Sequence, residues 1–179
     1  VPGQVTPLAN ALGLSTSGNQ VSSWAQWNYA GYQGTAAWPE YHRLMTTMER
    51  IGHRHGCGRA MWEYGADQNR FGTPMALMLL PYWTNNCIDS MEGLFFESSA
   101  TTPYHFIDQA LLSAQPSNPQ VGLPYTDLCV HCGVPRLQML GVRYYVAYFP
   151  TTVGQANRLS DLKPLAVLSR VGGASVIWH

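Results

Sequence analysis

Lysine is almost missing from this chain: nine of its ten basic residues are arginine, and Lys163 is the exception. Charge as a whole is scarce, at 11% of residues, and ten acidic side chains cancel the ten basic ones. A neutral chain so poor in charge lacks the electrostatic footprint of a nucleic-acid binder. It also lacks the basic amphipathic face of a helix that lies on a membrane. The longest strongly apolar run is Met75–Pro81, far short of the ~20 residues that span a bilayer. No glycine-rich phosphate loop is present. Ser90, Ser98 and Ser99 have His105 nearby in sequence, but none sits in a nucleophile elbow. Val1-Pro2-Gly3 has neither the charged nor the apolar region of a signal peptide, and the chain opens without Met. It is therefore expected to be a fragment or processed product of a longer protein.

What is present is enough for a core. The length, 179 residues, suits one domain, and hydrophobic residues make up 46% of it, well above a disordered composition. Residues 1–20 are small, polar and rich in Pro and Gly, and read as a linker or N-terminal arm. Residues 21–179 read as a single domain. Tyr41, Leu44, Met45, Met48 and Ile51 fall on one stripe at helical spacing, so 38–51 is the clearest helix. Thr73-Pro74 and Thr102-Pro103 each place a capping residue before a first-turn proline. They predict a short helix stopped by Pro81 and a second one running to Leu112. A further short helix is predicted over Pro135–Leu140, and another over Val153–Leu159. Arg59–Tyr64, Gly93–Glu97 and Val142–Phe149 read as strands. Leu165–Leu168 and Ala174–Trp178 read as a hairpin closed through Gly172-Gly173. Helices alternating with strands predict an α/β or α+β fold: a single mixed sheet with helices packed on it.

The four cysteines, at 57, 87, 129 and 132, allow three complete pairings. Cys129-Val-His-Cys132 is a CxxC beside a predicted helix. Thiolate chemistry is favoured at a helix N-terminus, so one reading is a thiol–disulfide enzyme. The segment before it is not a convincing buried strand, and Gly133 and Pro135 make a turn, which favours a local structural disulfide. Zinc is the third reading, with His53, His55 and Cys57 in one group and Cys129, His131 and Cys132 in another. Neither spacing is that of a familiar zinc fold, so no metal and no cofactor are expected.

Several segments resemble parts of a known group of proteins. They are Cys57-Gly-Arg-Ala-Met-Trp-Glu-Tyr64, Pro74-Met-Ala-Leu-Met-Leu-Leu-Pro-Tyr-Trp83, Ser90-Met-Glu-Gly-Leu-Phe-Phe-Glu97, Thr101-Thr-Pro-Tyr-His-Phe106 and Leu137-Gln-Met-Leu-Gly-Val-Arg-Tyr-Tyr145. Across roughly residues 21–179 the chain is similar to extracytoplasmic domains of large actinobacterial polytopic membrane proteins, YfhO-like and related to glycosyltransferases that use lipid-linked sugar donors. The resemblance implies a place on the extracytoplasmic face of the cell membrane. The partners it implies are the transmembrane part of the same protein and a glycan or lipid-linked sugar. It carries over no catalytic residue, because the catalytic acid of such enzymes lies between membrane helices that this chain lacks. Cys57 and Cys87 belong to the shared pattern and Cys129 and Cys132 do not. That implies a Cys57–Cys87 bond in an oxidising compartment and leaves the other two for each other.

Three classes of function follow: an accessory domain that positions a glycan, a self-contained thiol–disulfide or hydrolytic enzyme, and a structural or protein-interaction domain. For a sugar, the useful chemistry is aromatic faces with carboxylates. The candidates are Trp24, Trp27, Trp62, Glu63, Trp83, Glu92, Tyr104 and His105, with an aromatic cleft expected among the rings. Glu92 and Glu97 are the candidates for the carboxylate pair a glycosidase needs, although five residues along a strand puts them on opposite faces. The competing expectation for Glu63 is a buried structural pair with Arg59 or Arg143, since buried charges need partners. Arg143, flanked by Val142 and Tyr144, is expected as a satisfied core arginine.

Overall fold

The computed structural model describes residues 31–91, 102–170 and 173–179. Contacts along the chain gather into two units, Val1–Pro39 and Glu40–His179. Of the first, the described part holds a short 3-10 turn, Tyr32–Gly34. The second is a mixed α/β fold with one five-stranded sheet and several helices packed against it.

Helix α1 spans Trp38–His55. Its predicted stripe is buried throughout. His53, Arg54 and His55 place basic side chains at its C-terminal end, where the helix dipole favours them. Gly56 follows at φ +101°, the left-handed geometry that lets the chain turn off a helix. Strand β1, Gly58–Trp62, comes next. Two 3-10 turns, Ala66–Phe71 and Ala76–Leu79, lead into the single-turn helix α2, Leu80–Trp83. Pro81 stands at the start of α2 rather than stopping a helix before it, because a first-turn position has no hydrogen bond for proline to lose. Asn85 and Asn86, both at positive φ, turn the chain into strand β2, Ile88–Ser90. The strand expected at Gly93–Glu97 lies outside the described residues.

Helix α3 covers Thr102–Leu112 as its cap and proline predict. Helix α4 runs Val130–Met139 and so starts five residues before the predicted Pro135. Strand β3 is Val142–Ala147, and α5 is Pro150–Ala156. Strands β4, Pro164–Arg170, and β5, Gly173–Trp178, pair antiparallel from Arg170↔Gly173 onward.

The strand order is β2-β1-β3-β5-β4. β1 pairs parallel with both β2 and β3, and β5 runs antiparallel between β3 and β4. Side chains alternate across the sheet. Met61, Tyr145, Ala147, Val176 and Trp178 share a core with Leu112 of α3, Val134 and Leu137 of α4, and Ala156 of α5. The alternate residues Trp62, Val146, Leu168 and Ser175 gather instead with Leu44 of α1 and with Phe71 and Leu77. Helices therefore cover both faces, and Ala60, Met61 and Trp62 of β1 are buried in succession, the signature of a central parallel strand. Two disulfides are present, Cys57–Cys87 and Cys129–Cys132. The first ties the entry of β1 to the entry of β2, whose residues Gly58 and Ile88 are in register.

Candidate functional site: the crevice at the ends of β1, β3 and β4

The chain leaves β1 for β2 on one side and returns to β3 on the other. In open α/β sheets, the place where connections diverge opens a crevice beyond the carboxyl ends of the strands, and ligands settle there. Here those ends are Trp62-Glu63 of β1 and Ala147-Tyr148-Phe149 of β3, with Ser169-Arg170 of β4 nearby.

Glu63 anchors the crevice floor. It is fully buried, and both its oxygens are occupied. Oε1 accepts from the Ala114 amide at 2.9 Å and from the Thr152 hydroxyl at 2.5 Å. Oε2 accepts from the amides of Tyr148 at 2.8 Å and Phe149 at 2.9 Å. One carboxylate thus ties β1 to the end of β3, the start of α5 and the segment after α3. Burial pushes its pKa up, while these four donors pull it back toward the charged form. The expected ion pair with arginine is not formed. Arg59 donates to the Leu140 carbonyl. Arg143 is exposed rather than in the core, and donates to the Cys57 carbonyl. Four short donors satisfy the carboxylate without burying a second charge, which removes the desolvation cost of a guanidinium.

Beside this floor lies a cleft of about 440 Å3 counting its open mouth. Little of that space admits a water-sized group. Trp62, Val146, Leu168 and Leu44 form its apolar wall, and Arg43, Gln68, Arg70 and Arg170 bring polar groups to it. Each arginine is held in place. Arg43 donates to the Ser169 carbonyl at 2.7 Å. Arg70 pairs with Glu40 at 2.5 Å and lies 4.6 Å above the Phe71 ring. Arg170 pairs with Asp67 and lies 4.0 Å above the Tyr148 ring. Asp67 also accepts from the Tyr148 hydroxyl at 3.1 Å, and burial foremost pushes that phenol's pKa far up, so it stays a neutral donor. Gln68 donates to the Glu63 carbonyl at 2.7 Å. The close approach at Gly65 requires glycine: a Cβ there would lie 2.1 Å from the Tyr148 hydroxyl oxygen and 2.8 Å from the Phe149 ring.

After these bonds are made, four buried polar atoms on cleft residues have no hydrogen bond among the described residues. They are Trp62 Nε1, Arg70 Nε, Arg170 Nε and Gln68 Oε1. Buried polar atoms are nearly always satisfied, so an orphaned group asks for an explanation, and four around one cleft make a set of three donors and one acceptor.

The structure separates the residues singled out from the sequence. Trp62 lines the cleft but is 1% exposed, so it has no open face for stacking. Glu63 lies under the cleft. Trp83 packs edge-on to Tyr41 and Tyr82, Tyr104 is exposed on α3, and His105 is buried on α3 3.3 Å from the Gln109 amide. None of these three lines the cleft. Trp24, Trp27, Glu92 and Glu97 lie outside the described residues. Among the described residues, Cys129, His131 and Cys132 gather within 4.8 Å, but both sulfurs are joined in a disulfide and zinc needs thiolates. The cleft arginines and Gln68 escape sequence reasoning. Their one signal is the excess of arginine over lysine, since only a guanidinium can pair, stack and still present a further N–H.

The chain matches no known protein family, no curated protein and no solved structure. Among the described residues, no helix is long and apolar enough to cross a membrane.

Proposed function

We propose that this domain is an accessory recognition module on the extracytoplasmic side of a polytopic membrane protein related to glycosyltransferases, where it positions a glycan or lipid-linked sugar. The observation that carries this reading is the orphaned set in the cleft. A sugar hydroxyl accepts two hydrogen bonds and donates one. Two of the N–H groups of Trp62, Arg70 and Arg170, with the Gln68 carbonyl oxygen, would match that pattern. The small space that admits a water-sized group suits a single hydroxyl, with the rest of the sugar outside it. Two disulfides favour an oxidising compartment. Binding rather than catalysis is supported by Glu63: with four donors on its oxygens it has no free lone pair with which to move a substrate proton.

The test is NMR on the 179-residue chain titrated with mono- and oligosaccharides and short-chain prenyl-phosphate sugars. The expected result is a shift of the Trp62 indole N–H with at least one sugar. Binding of that sugar should be about tenfold weaker in Trp62→Phe, the loss of one hydrogen bond. An indole resonance that no sugar moves would end this reading.

A further inference from the structure

The second site lies on the opposite face of the sheet, at the start of α4. Cys129 is the N-cap of that ten-residue helix, and its carbonyl accepts from the amides of Cys132 and Gly133, each at 3.0 Å. Its own amide donates to the Leu111 carbonyl at 2.9 Å, and its side chain packs against the core cluster. The CxxC bond thus straddles the first turn of a firmly anchored helix. His131, between the two cysteines, is exposed. Its Nδ1 is 3.1 Å from Cys129 Sγ and 3.7 Å from Cys132 Sγ. Neither half-cystine is buried. Cys57–Cys87 differs in each respect that matters. It closes a separation of 30 residues against 3, and Cys87 is buried against α1, where a Cβ on Gly52 would come within 2.7 Å of its sulfur.

We infer that Cys129–Cys132 is a redox-active disulfide that takes two electrons from a dithiol on another protein. A partner thiolate attacks Cys132 Sγ, the intramolecular S–S bond breaks, and a mixed disulfide forms. Cys129 leaves as a thiolate, stabilised by the helix N-terminus and by an N–H from the His131 ring. The partner's second thiolate then attacks its own sulfur in the mixed disulfide and releases Cys132 as a thiolate, which takes up a proton. The partner ends as a disulfide and the domain as a dithiol, in one stoichiometric exchange.

The experiment equilibrates the full chain in mixtures of reduced and oxidised dithiothreitol, traps thiols by alkylation, and measures each bridge by peptide mapping. Far-UV circular dichroism follows the fold. Loop entropy belongs to the unfolded chain and does not enter while the fold stays intact, so the difference rests on the thiolate, whose stabilisation makes the short bridge about tenfold easier to reduce. Cys129–Cys132 is therefore expected to open at a dithiol-to-disulfide ratio about tenfold below that for Cys57–Cys87, with the fold intact. His131→Ala should make it about tenfold harder to reduce. A difference of about threefold or less overturns the inference, as does opening only with loss of the fold. An unchanged ratio in His131→Ala overturns it too. None of these results touches the sugar cleft, whose binding is read separately.

Discussion

Thr152→Val deletes one of the four donors to Glu63 while keeping the side chain's shape. Thr152 is fully buried and its hydroxyl lies 2.5 Å from Glu63 Oε1. A hydrogen bond to an ionised group contributes about 1.5–3 kcal/mol and one to a neutral group about 1 kcal/mol. With Glu63 charged, the variant should lose about 2 kcal/mol, or about 4–8 °C in melting temperature for a domain of this size. With Glu63 protonated, it should lose only about 1 kcal/mol. The sign of the pH dependence follows from linkage. The folded pKa of Glu63 lies above its ordinary value, chiefly through burial. The native state therefore holds this proton more tightly than the unfolded chain does. The stability Glu63 contributes is full below about pH 4.3, its ordinary value, and declines as pH rises through the folded pKa. The Thr152 donor lowers that pKa, so removing it extends the decline. Urea denaturation at pH 4 and pH 8 should show the cost of Thr152→Val growing by about 1 kcal/mol with pH. In a Glu63→Gln background that growth should vanish, because nothing remains there to titrate. A cost below about 0.5 kcal/mol, or one equal at both pH values, would refute the claim that Thr152 supports a buried carboxylate.

Two further substitutions test the packing that holds the site. Gly52→Ala places a Cβ 2.7 Å from Cys87 Sγ and 2.8 Å from Ile88 Cδ1. It should lower stability by about 1–3 kcal/mol despite the better helix propensity of alanine, and a raised melting temperature would show that α1 and β2 are not in that contact. Replacing both Cys57 and Cys87 by serine opens a separation of 30 residues, and should cost about 3.5 kcal/mol in urea denaturation.

The sequence is legible where a pattern is local. The α1 stripe, the cap and proline of α3 and the run Val142–Ala147 each concentrate their signal within a few turns or one strand. β2 is only three residues long, too short to show a period, and it exists because Asn85, Asn86 and the Cys57–Cys87 bond deliver it to β1. The start of α4 is hidden for a different reason. Gly133 and Pro135 read as a turn, yet both lie inside the helix. A Cβ at 133 would lie 2.7 Å from Leu112 Cγ and Cδ2, so the glycine is there for the contact between α3 and α4. Helix propensity yields to that packing, and with it the CxxC moves from beside a helix to its first turn.

The cleft had no local signature at all. Arg70 and Arg170 meet across it from positions a hundred residues apart, each immobilised by its own carboxylate and its own aromatic ring. Pairing and stacking use one edge and one face of a guanidinium, and leave the Nε–H edge free to point elsewhere. Charge pairing, which sequence reasoning assigned to Glu63, therefore does its work one layer above, at Asp67 and Glu40. Glu63 is released to tie the strands together from below. That division leaves the Arg70 and Arg170 Nε–H donors without a hydrogen bond among the described residues, while Glu40 and Asp67 are each compensated by a guanidinium.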